Sequence, residues 1–284
     1  MSDIEILIIE GNTESKNAEI RAQGGREYAH LYRAVLQQIA PDATCRVLRP
    51  CESDLTDLAM RIDLSAIGGA VWTGSSLSVL DSIAPVTAQV SLFADLFEAG
   101  IPIFGSCWGL QVMAVALGGK VRRNPLGREI GVAREITLTD AGVAHPMYAD
   151  KPPIFDSIAM HIDEVESLPS ECSILAGNAH SPIQAAAMEN DARSFWGVQY
   201  HPEFDLEVLA LGIRRVAPEL IDEGFFATST ELEAVCDSLA SVERAPQVSR
   251  ARRSVYGIRD SVAVPEVRRR EIANWFQTVV RRRD

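Results

Sequence analysis

The sequence predicts an α/β fold in which helices flank a mainly parallel central sheet, with a further helical segment near the C-terminus. In the first half of the 284 residues, short β-branched runs alternate with amphipathic segments, a pattern typical of parallel strands joined by crossover helices. Apolar residues make up 47% of the chain and charged residues 23%, which is sufficient for one full-sized core. From about Leu206 onward, acidic and apolar residues recur at helical spacing with few strand signals.

The first half of the chain contains the clearest elements of the predicted sheet. Apolar residues recur at helical spacing before Pro41, which ends the first predicted helix, and Gly100 and Gly118 end the next two. In chain order, the predicted elements are a strand at 4–9, a helix at 26–40, a strand at 70–73, a helix at 86–99, a strand at 101–104 and a helix at 110–117.

The middle of the chain, residues 129–200, is richer in strand-like runs. A polar stretch at 238–254 indicates a connecting segment, and no internal repeat is present. The predicted strands of the middle part lie at 136–138, 174–176, 185–188 and 196–200.

Charge and composition exclude several classes of protein. A formal net charge of −12 argues against a nucleic-acid surface, which needs clustered basic residues. No apolar run approaches the roughly 20 residues that cross a bilayer, so no membrane segment is expected. Asp3 and Glu5 stand where a signal peptide would be basic, which favours a cytoplasmic protein. The odd number of cysteines, without a C-x-x-C pair, predicts neither a disulfide framework nor a zinc site; they are Cys45, Cys51, Cys107, Cys172 and Cys236.

One cysteine lies in a pattern typical of a nucleophile. Residues 105–109 read Gly-Ser-Cys-Trp-Gly between a predicted strand and a predicted helix, the G-x-nucleophile-x-G pattern of a sharp strand-turn-helix elbow. Such an elbow places Cys107 at a helix N-terminus, where negative charge on sulfur is stabilised, and directs the N–H of Trp108 towards a developing oxyanion. The pattern alone leaves open that Cys107 is a small buried residue in a tight turn.

A nucleophilic cysteine needs a base, and His201 with Glu203 is the first candidate. Residues two apart on an extended strand project to the same side, so these side chains can lie together. The histidine would take the thiol proton, and the carboxylate would orient the ring. His30, His145 and His180 read as ordinary hydrogen-bonded histidines, whereas His161 stays open as a competing base.

Four blocks together resemble class I (triad-type) glutamine amidotransferases. They follow the order of that family and cover, with the intervening chain, about residues 1 to 204, while residues 270–276 resemble its closing helix. The blocks are TGSSLSVLD at 73–81, like the family's oxyanion loop; GSCWGLQ at 105–111, like G-x-C-x-G-x-Q; MHIDEV at 160–165, like S-H-x-D-x-V; and VQYHPE at 198–203, like G-V-Q-x-H-P-E.

The resemblance implies a flavodoxin-like fold and a role for each matching residue. Its implied sites are a catalytic Cys107, His201 and Glu203; oxyanion groups at Trp108, Gly74 and Ser75; and substrate-binding residues Gln111, His161, Ile162 and Asp163. Neither a metal nor an organic cofactor is implied. The loop at 73–75 reads Thr-Gly-Ser where many members carry Gly-Gly-Pro, so which amide donates there stays open between Gly74 and Ser75.

The resemblance also implies a domain division and an activity. It implies a catalytic core at 1–205, a helical insert at 206–265 and a closing helix at 266–284. The expected activity is hydrolysis of the γ-amide of glutamine or of another γ-glutamyl amide through a thioester. The alternative is a glutaminase subunit that passes ammonia to a synthase partner. A non-catalytic module on this fold would ordinarily lack the cysteine or the histidine.

The insert leads to the most specific expectation. It follows directly after His201 and Glu203, so it could enclose the departing amine and favour leaving groups larger than ammonia. It could equally cover a sheet face or form a homodimer contact.

Overall fold

The computed structural model describes residues 4–52, 62–190, 192–244 and 257–281. Within these ranges the chain forms a nine-stranded sheet and a separate two-stranded sheet of β5 and β8. The strands are β1 (Glu5–Ile9), β2 (Thr44–Leu48), β3 (Ile67–Trp72), β4 (Ile103–Ser106), β5 (Lys120–Arg123), β6 (Glu129–Leu138), β7 (Ile154–His161), β8 (Asp163–Ser167), β9 (Ser173–Gly177), β10 (Ala185–Glu189) and β11 (Ser194–Val198).

The larger sheet is parallel on one side and antiparallel on the other. Its order across the described strands is β2-β1-β3-β4-β11-β10-β9-β6-β7. The pairs from β2 to β11 are parallel, and those from β11 to β7 are antiparallel. The connections between β9, β10 and β11 are too short for the crossover that a parallel pair requires. The predicted α/β class with a helix-flanked sheet is confirmed, with the parallel strands confined to one half.

Helices cover both faces of the sheet. No helix in the described ranges is long and apolar enough to cross a membrane, and the cytoplasmic location stays a prediction. The helices are α1 (Glu14–Ala22), α2 (Tyr28–Ile39), α3 (Ala84–Glu98), α4 (Trp108–Ala116), α5 (Asp140–Ala144), α6 (Leu206–Arg215), α7 (Ala217–Asp222), α8 (Ser229–Arg244), α9 (Asp260–Ala263), α10 (Pro265–Arg268) and α11 (Arg270–Trp275), which continues as a π-helical turn (Phe276–Val280).

Each predicted strand or helix overlaps an observed one, but α1, α5, β2, β5, β7 and β8 have no counterpart among the predictions. Helix α1 buries only Asn17 and Ile20, so it lacks an apolar period. Strand β2 lies at the sheet edge and is largely exposed. The predicted strand at 196–200 ends earlier, at Val198, because the N–H of His201 turns to the Ile158 carbonyl at 2.8 Å. Of the predicted connection at 238–254, residues 238–244 belong to α8, and the rest lies outside the described residues.

The parallel half of the sheet is buried on both faces. Along β1, Ile6 and Ile8 pack into the core under α2, whereas Leu7 and Ile9 pack into the core under α3. This alternation explains the continuous apolar run of β1, since a strand covered on both sides needs no polar face. The carboxyl ends of β3, β4 and β11 therefore meet at one edge of a rigid sheet.

The C-terminal helices form a third hydrophobic core together with residues of α1, α2 and β7. Leu209 and Ile213 of α6 pack in one cluster with Ile158 of β7, Ile20 of α1 and Tyr28 of α2. Each fully buried aliphatic side chain there contributes about 1.5–3 kcal/mol. The division into a core at 1–205, an insert at 206–265 and a closing helix at 266–284 stays a prediction.

A buried polar cluster connects α11 to the end of β11. Glu271 of α11 forms an ion pair with Lys151 and accepts a hydrogen bond of 2.6 Å from the Tyr200 hydroxyl. The Tyr200 and Tyr148 hydroxyls are 2.9 Å apart. Burial lowers the pKa of Lys151, and Glu271 opposes that effect. Tyr200 directly precedes His201, so the cluster holds the chain in place within the fourth sequence block.

Candidate active site

Cys107 occupies the sharp turn between β4 and α4. Its φ of 48° and ψ of −95° lie where non-glycine residues rarely occur, a conformation that costs about 1–3 kcal/mol and is typical of functional turns. A Cβ on Gly105 would lie 2.8 Å from the Gly109 carbonyl carbon, and one on Gly109 would lie 2.9 Å from the Trp72 Cβ. Both glycines of the predicted elbow are therefore required by close backbone packing.

The sulfur of Cys107 lies at the N-terminus of α4 and is largely shielded from solvent. The residue is 5% exposed. The Gln199 side-chain amide donates to Sγ at 3.4 Å, and Sγ lies 3.9 Å from the Met160 carbonyl oxygen. The free N–H groups at the start of α4 stabilise negative charge at this position.

His201 and Glu203 come together beside Cys107. His201 Nδ1 is 2.8 Å from Glu203 Oε1, and both side chains are buried. Ser106 donates to the same carboxylate oxygen at 2.9 Å, and the Tyr32 hydroxyl donates to Ser106 at 3.0 Å. The His201 ring stacks on Phe204, with centroids 4.0 Å apart. The carboxylate thus fixes the ring from one side while the other ring nitrogen is available to the thiol.

The surroundings of His201 favour its charged form. Burial alone would lower its pKa, but the charge of Glu203 and hydrogen bonds with Cys107 and Glu203 raise it from 6.5 to about 10. A protonated imidazole beside the sulfur supports a thiolate–imidazolium pair, which is the reactive form of cysteine hydrolases.

Substituting Glu203 tests this arrangement through the pH profile. The raised pKa of His201 means that its charge stabilises the folded protein fully below pH 6.5, and that this contribution is lost as the pH rises to about 10. Glu203→Gln removes the largest effect that raises this pKa, so the alkaline limb of kcat/KM is expected to move to lower pH. The loss of activity at neutral pH should be smaller than for His201→Asn, because orientation is secondary to proton transfer. An alkaline limb at the same pH in the native protein and in Glu203→Gln would contradict the pairing of His201 with Glu203.

The loop after β3 lies against His201. A Cβ on Gly74 would be only 2.7 Å from His201 Cε1. Ser75 donates to the Gly11 carbonyl at 2.9 Å, and the Ser76 N–H donates to Asn12 Oδ1 at 2.8 Å. Asn12 thereby holds the loop in place.

Backbone donors from this loop and from the elbow are free to bind an anion. Among the described residues, no acceptor pairs with the backbone N–H of Gly74, Ser75 or Trp108. The indole of Trp108 is fixed by a 2.8 Å hydrogen bond to Gln89. Unpaired N–H groups around a nucleophile are the arrangement that stabilises a tetrahedral oxyanion.

The residues expected to bind substrate form a second group. The Gln111 amide donates to the Asp163 carbonyl at 2.9 Å and to Gln199 Oε1 at 3.3 Å. The Ser78 hydroxyl donates to the Asp163 carboxylate, and the Ile162 carbonyl accepts from the Asn124 N–H at 2.9 Å. These hydrogen bonds join α4 and the loop after β3 to Asp163, the first residue of β8.

His161 makes a separate pair with a carboxylate. Its Nε2 lies 2.9 Å from Glu129 Oε2, and its Nδ1 lies 3.1 Å from the Asp163 carbonyl oxygen. Asn178 and Gln184 donate to the same carboxylate at 2.8 Å each. Both ring nitrogens of His161 are therefore engaged away from Cys107, so the geometry favours His201 as the base.

Several residues of the site were not singled out in the sequence, although Ser106 lies inside the second block. Ser106 and Tyr32 support Glu203 through side chains that are distant in the chain, and Glu129 pairs with His161 across neighbouring strands. Gln199 lies inside the fourth block, so its contact with sulfur could have been suspected from its position. The described residues contain no group of three or more His, Cys, Asp or Glu side chains that could hold a metal ion.

Comparison with known proteins places the chain in a family. Residues 54–211 match the family model of class-I glutamine amidotransferases. A γ-glutamyl-L-1-hydroxyisopropylamide hydrolase from Pseudomonas sp. is 29% identical over 283 residues, which cover 99% of this chain and 94% of that protein. A glutamine-hydrolysing GMP synthase from Enterobacter sp. (strain 638) is 36% identical over 139 residues, 48% of this chain and 25% of the synthase.

Solved structures agree on the fold. A glutamine amidotransferase from Thermotoga maritima superposes with a TM-score of 0.70 at 15% identity, covering 99% of each chain. The family model spans more than half of the present sequence, and the protein belongs to the class I glutamine amidotransferase family. It is an enzyme of the amidohydrolase type.

Proposed function

We propose that this enzyme hydrolyses the γ-amide of glutamine or of a γ-glutamyl amide, giving glutamate and ammonia or an amine through a γ-glutamyl thioester on Cys107. The observation that carries the proposal is that Cys107, in its elbow, is hydrogen-bonded to the buried His201, whose Nδ1 lies 2.8 Å from Glu203 Oε1. This is the nucleophile, base and orienting group that acyl transfer requires.

The first half of the reaction forms the thioester. The Cys107 thiolate attacks the γ-carbonyl carbon, and the resulting oxyanion accepts hydrogen bonds from the N–H groups of Trp108 and of Gly74 or Ser75. The carbon–nitrogen bond then breaks as His201 transfers its proton to the departing nitrogen. Ammonia or an amine leaves, and the glutamyl group stays bonded to sulfur.

The second half releases glutamate. His201, now neutral, takes a proton from water as the water oxygen adds to the thioester carbonyl. The carbon–sulfur bond breaks, glutamate leaves, and Cys107 and His201 return to the thiolate–imidazolium pair. Gln111, His161, Ile162 and Asp163 would hold the glutamyl portion, which their shared hydrogen bonds support.

The leaving group is proposed to be larger than ammonia. Helix α6 packs against the Met160 side chain, since a Cβ on Gly212 would lie 2.1 Å from the Met160 Cε, and the Met160 carbonyl oxygen lies 3.9 Å from the Cys107 sulfur. The Pseudomonas hydrolase, named for a substituted amide, matches the chain through this segment, whereas the GMP synthase matches only 139 residues.

A comparison of substrates tests this proposal with the intact protein. The value of kcat/KM for N-alkyl γ-glutamyl amides is expected to exceed that for glutamine by about tenfold or more, because each buried methylene contributes about 1–3 kcal/mol. The measurement is release of amine or ammonia together with glutamate. Equal or better turnover of glutamine would defeat the preference for larger leaving groups while leaving the cysteine mechanism in place.

The second candidate is a glutaminase that supplies ammonia to a synthase partner. It is supported by the 36% identity to the GMP synthase over 139 residues. This function predicts preference for glutamine and weak turnover in isolation, and the same substrate panel separates the two candidates.

A further inference from the structure

Helix α3 carries a glutamine on its buried face. Gln89 is 0% exposed, and Val86 and Phe93, about one turn before and after it, are buried on the same face of the helix. A buried amide needs partners for its carbonyl oxygen and for its N–H groups, because an unpaired polar group in the core is costly. The partners of Gln89 therefore indicate why a polar side chain occupies an apolar face.

Both ends of this side chain are hydrogen-bonded. Its Oε1 accepts from the indole N–H of Trp108 at 2.8 Å and from that of Trp72 at 3.2 Å. Its Nε2 donates to the Gly11 carbonyl at 3.0 Å and to the sulfur of Cys51 at 3.3 Å. An indole N–H can only donate and a carbonyl oxygen can only accept, so these partners determine which way the amide faces.

One of the partners belongs to the nucleophile elbow. Trp108 directly follows Cys107, and its backbone N–H is a proposed oxyanion donor without an acceptor among the described residues. Cys107 has a φ of 48°, so the peptide unit between the two residues follows a strained turn. The hydrogen bond from the indole to Gln89 anchors the residue after this turn and restricts the rotation of its backbone N–H.

Another partner is bonded to the loop after β3. The Gly11 carbonyl also accepts from the Ser75 hydroxyl at 2.9 Å, and the Gly11 N–H donates to Thr73 Oγ1 at 2.9 Å. A Cβ on Gly11 would lie 2.7 Å from the Gly74 carbonyl oxygen and 2.9 Å from Trp108 Cδ1. Gly11 therefore packs tightly between the loop and the indole, and the same buried amide binds it and the indole.

We infer that Gln89 is a positioning residue that holds the two halves of the oxyanion site at a fixed separation, with the N–H of Trp108 on one side and the N–H groups of the loop after β3 on the other. An oxyanion is stabilised most by donors that are already in place when its charge develops. Gln89 therefore affects the chemical steps rather than the binding of the glutamyl portion. The inference rests on the proposed amide hydrolysis and adds a residue that acts through Trp108 and Gly11.

The alternative is that Gln89 only satisfies two buried indoles. Its replacement would then lower stability and leave the chemistry of the folded enzyme unchanged. Two reactions of the same sulfur separate these explanations. Amide hydrolysis forms a tetrahedral oxyanion, whereas in alkylation by iodoacetamide the Cys107 sulfur bonds to the CH₂ carbon as iodide leaves, and no oxyanion forms.

The variant Gln89→Met keeps the length of the side chain and removes its hydrogen bonds. With a γ-glutamyl amide that the native enzyme hydrolyses, kcat is expected to fall about 10- to 100-fold, while KM should change less than about threefold. The rate of Cys107 alkylation should stay within about twofold of the native rate, because the thiolate itself is unchanged. Phe93→Leu, a substitution of another fully buried residue of α3, is the control for lost stability and should keep the native kcat.

A second pair of variants tests the same contact if Gln89→Met folds poorly. Trp108→Phe and Trp72→Phe each remove one indole donor to Gln89, but only Trp108 belongs to the elbow. Trp108→Phe should lower kcat and leave the alkylation rate of Cys107 unchanged, whereas Trp72→Phe should keep the native kcat.

The outcomes are distinct. A native kcat in Gln89→Met or in Trp108→Phe would overturn the inference, as would equal losses in hydrolysis and alkylation, or an equal loss of kcat in Trp72→Phe. If the native enzyme hydrolysed no γ-glutamyl amide in a Cys107-dependent manner, the proposed function would fail and the inference with it, and the native control alone would reveal this.

Discussion

Replacing Cys107 with alanine is expected to lower kcat by about 10⁴-fold or more while leaving the fold intact. The sulfur is the atom that bonds to the substrate, and the substitution removes a single buried atom from a turn that is fixed by glycine packing. Amine release measures the loss, and thermal unfolding measures the fold. A Tm close to that of the native protein would show that the substitution removed the activity and left the fold intact.

Cys172→Ala is the matched control, because Cys172 is a half-buried thiol outside the site. It should keep native activity. A second measurement uses a glutamine-like electrophile, which should label Cys107 first, since burial raises the pKa of Cys51, Cys172 and Cys236 to about 11 and also raises that of Cys45. Near-native turnover of Cys107→Ala, or equal labelling of all cysteines, would end the cysteine mechanism.

His201→Asn is expected to lower kcat/KM by about 10²- to 10⁴-fold. Asparagine can still donate to Glu203, so the buried carboxylate is not left unpaired, but it cannot carry a proton between sulfur and nitrogen. The alkaline limb attributed to His201 should disappear from the residual activity. Steady-state kinetics across pH 6 to about 11 measures both effects.

His161→Asn serves as the matched histidine control. His161 is held by Glu129 at 2.9 Å and by the Asp163 carbonyl at 3.1 Å, so its loss should act mainly through substrate binding and raise KM. If His161→Asn were inactive while His201→Asn stayed active, the assignment of the base would be wrong.

The elbow could be predicted from sequence because its determinants are local. Gly105, Cys107 and Gly109 lie within five residues, and the close approaches that forbid a side chain at either glycine occur within this turn or against β3. His201 and Glu203 are two residues apart, so their pairing could also be predicted, although they lie in the turn after β11 and not on an extended strand. The parallel strands could also be predicted from local sequence, because a strand that is buried on both faces is a continuous run of apolar residues.

The parts that could not be predicted depend on contacts between distant segments. Strand β7 is buried although it contains Asp156 and Ser157, and the Ser261 hydroxyl, which accepts from the Asp156 N–H, comes from α9. Helix α1 has almost no apolar period, and its Ile20 is buried only because it packs in one cluster with residues of α2 and α6. The pairing of His161 with Glu129 requires the antiparallel register of β6 and β7.

The buried cluster of Lys151, Glu271 and Tyr200 has a consequence for reading mutational screens. Loss of Glu271 would leave Lys151 as an uncompensated buried charge, which typically costs about 3–5 kcal/mol, and would release the residue that precedes His201. A selection for activity would then report variants at Glu271 and Lys151 as inactive, like those at Cys107 and His201. Neither Glu271 nor Lys151 contacts the reacting atoms. A parallel measurement of protein abundance would distinguish the two groups, because only the cluster variants should be depleted from the soluble fraction.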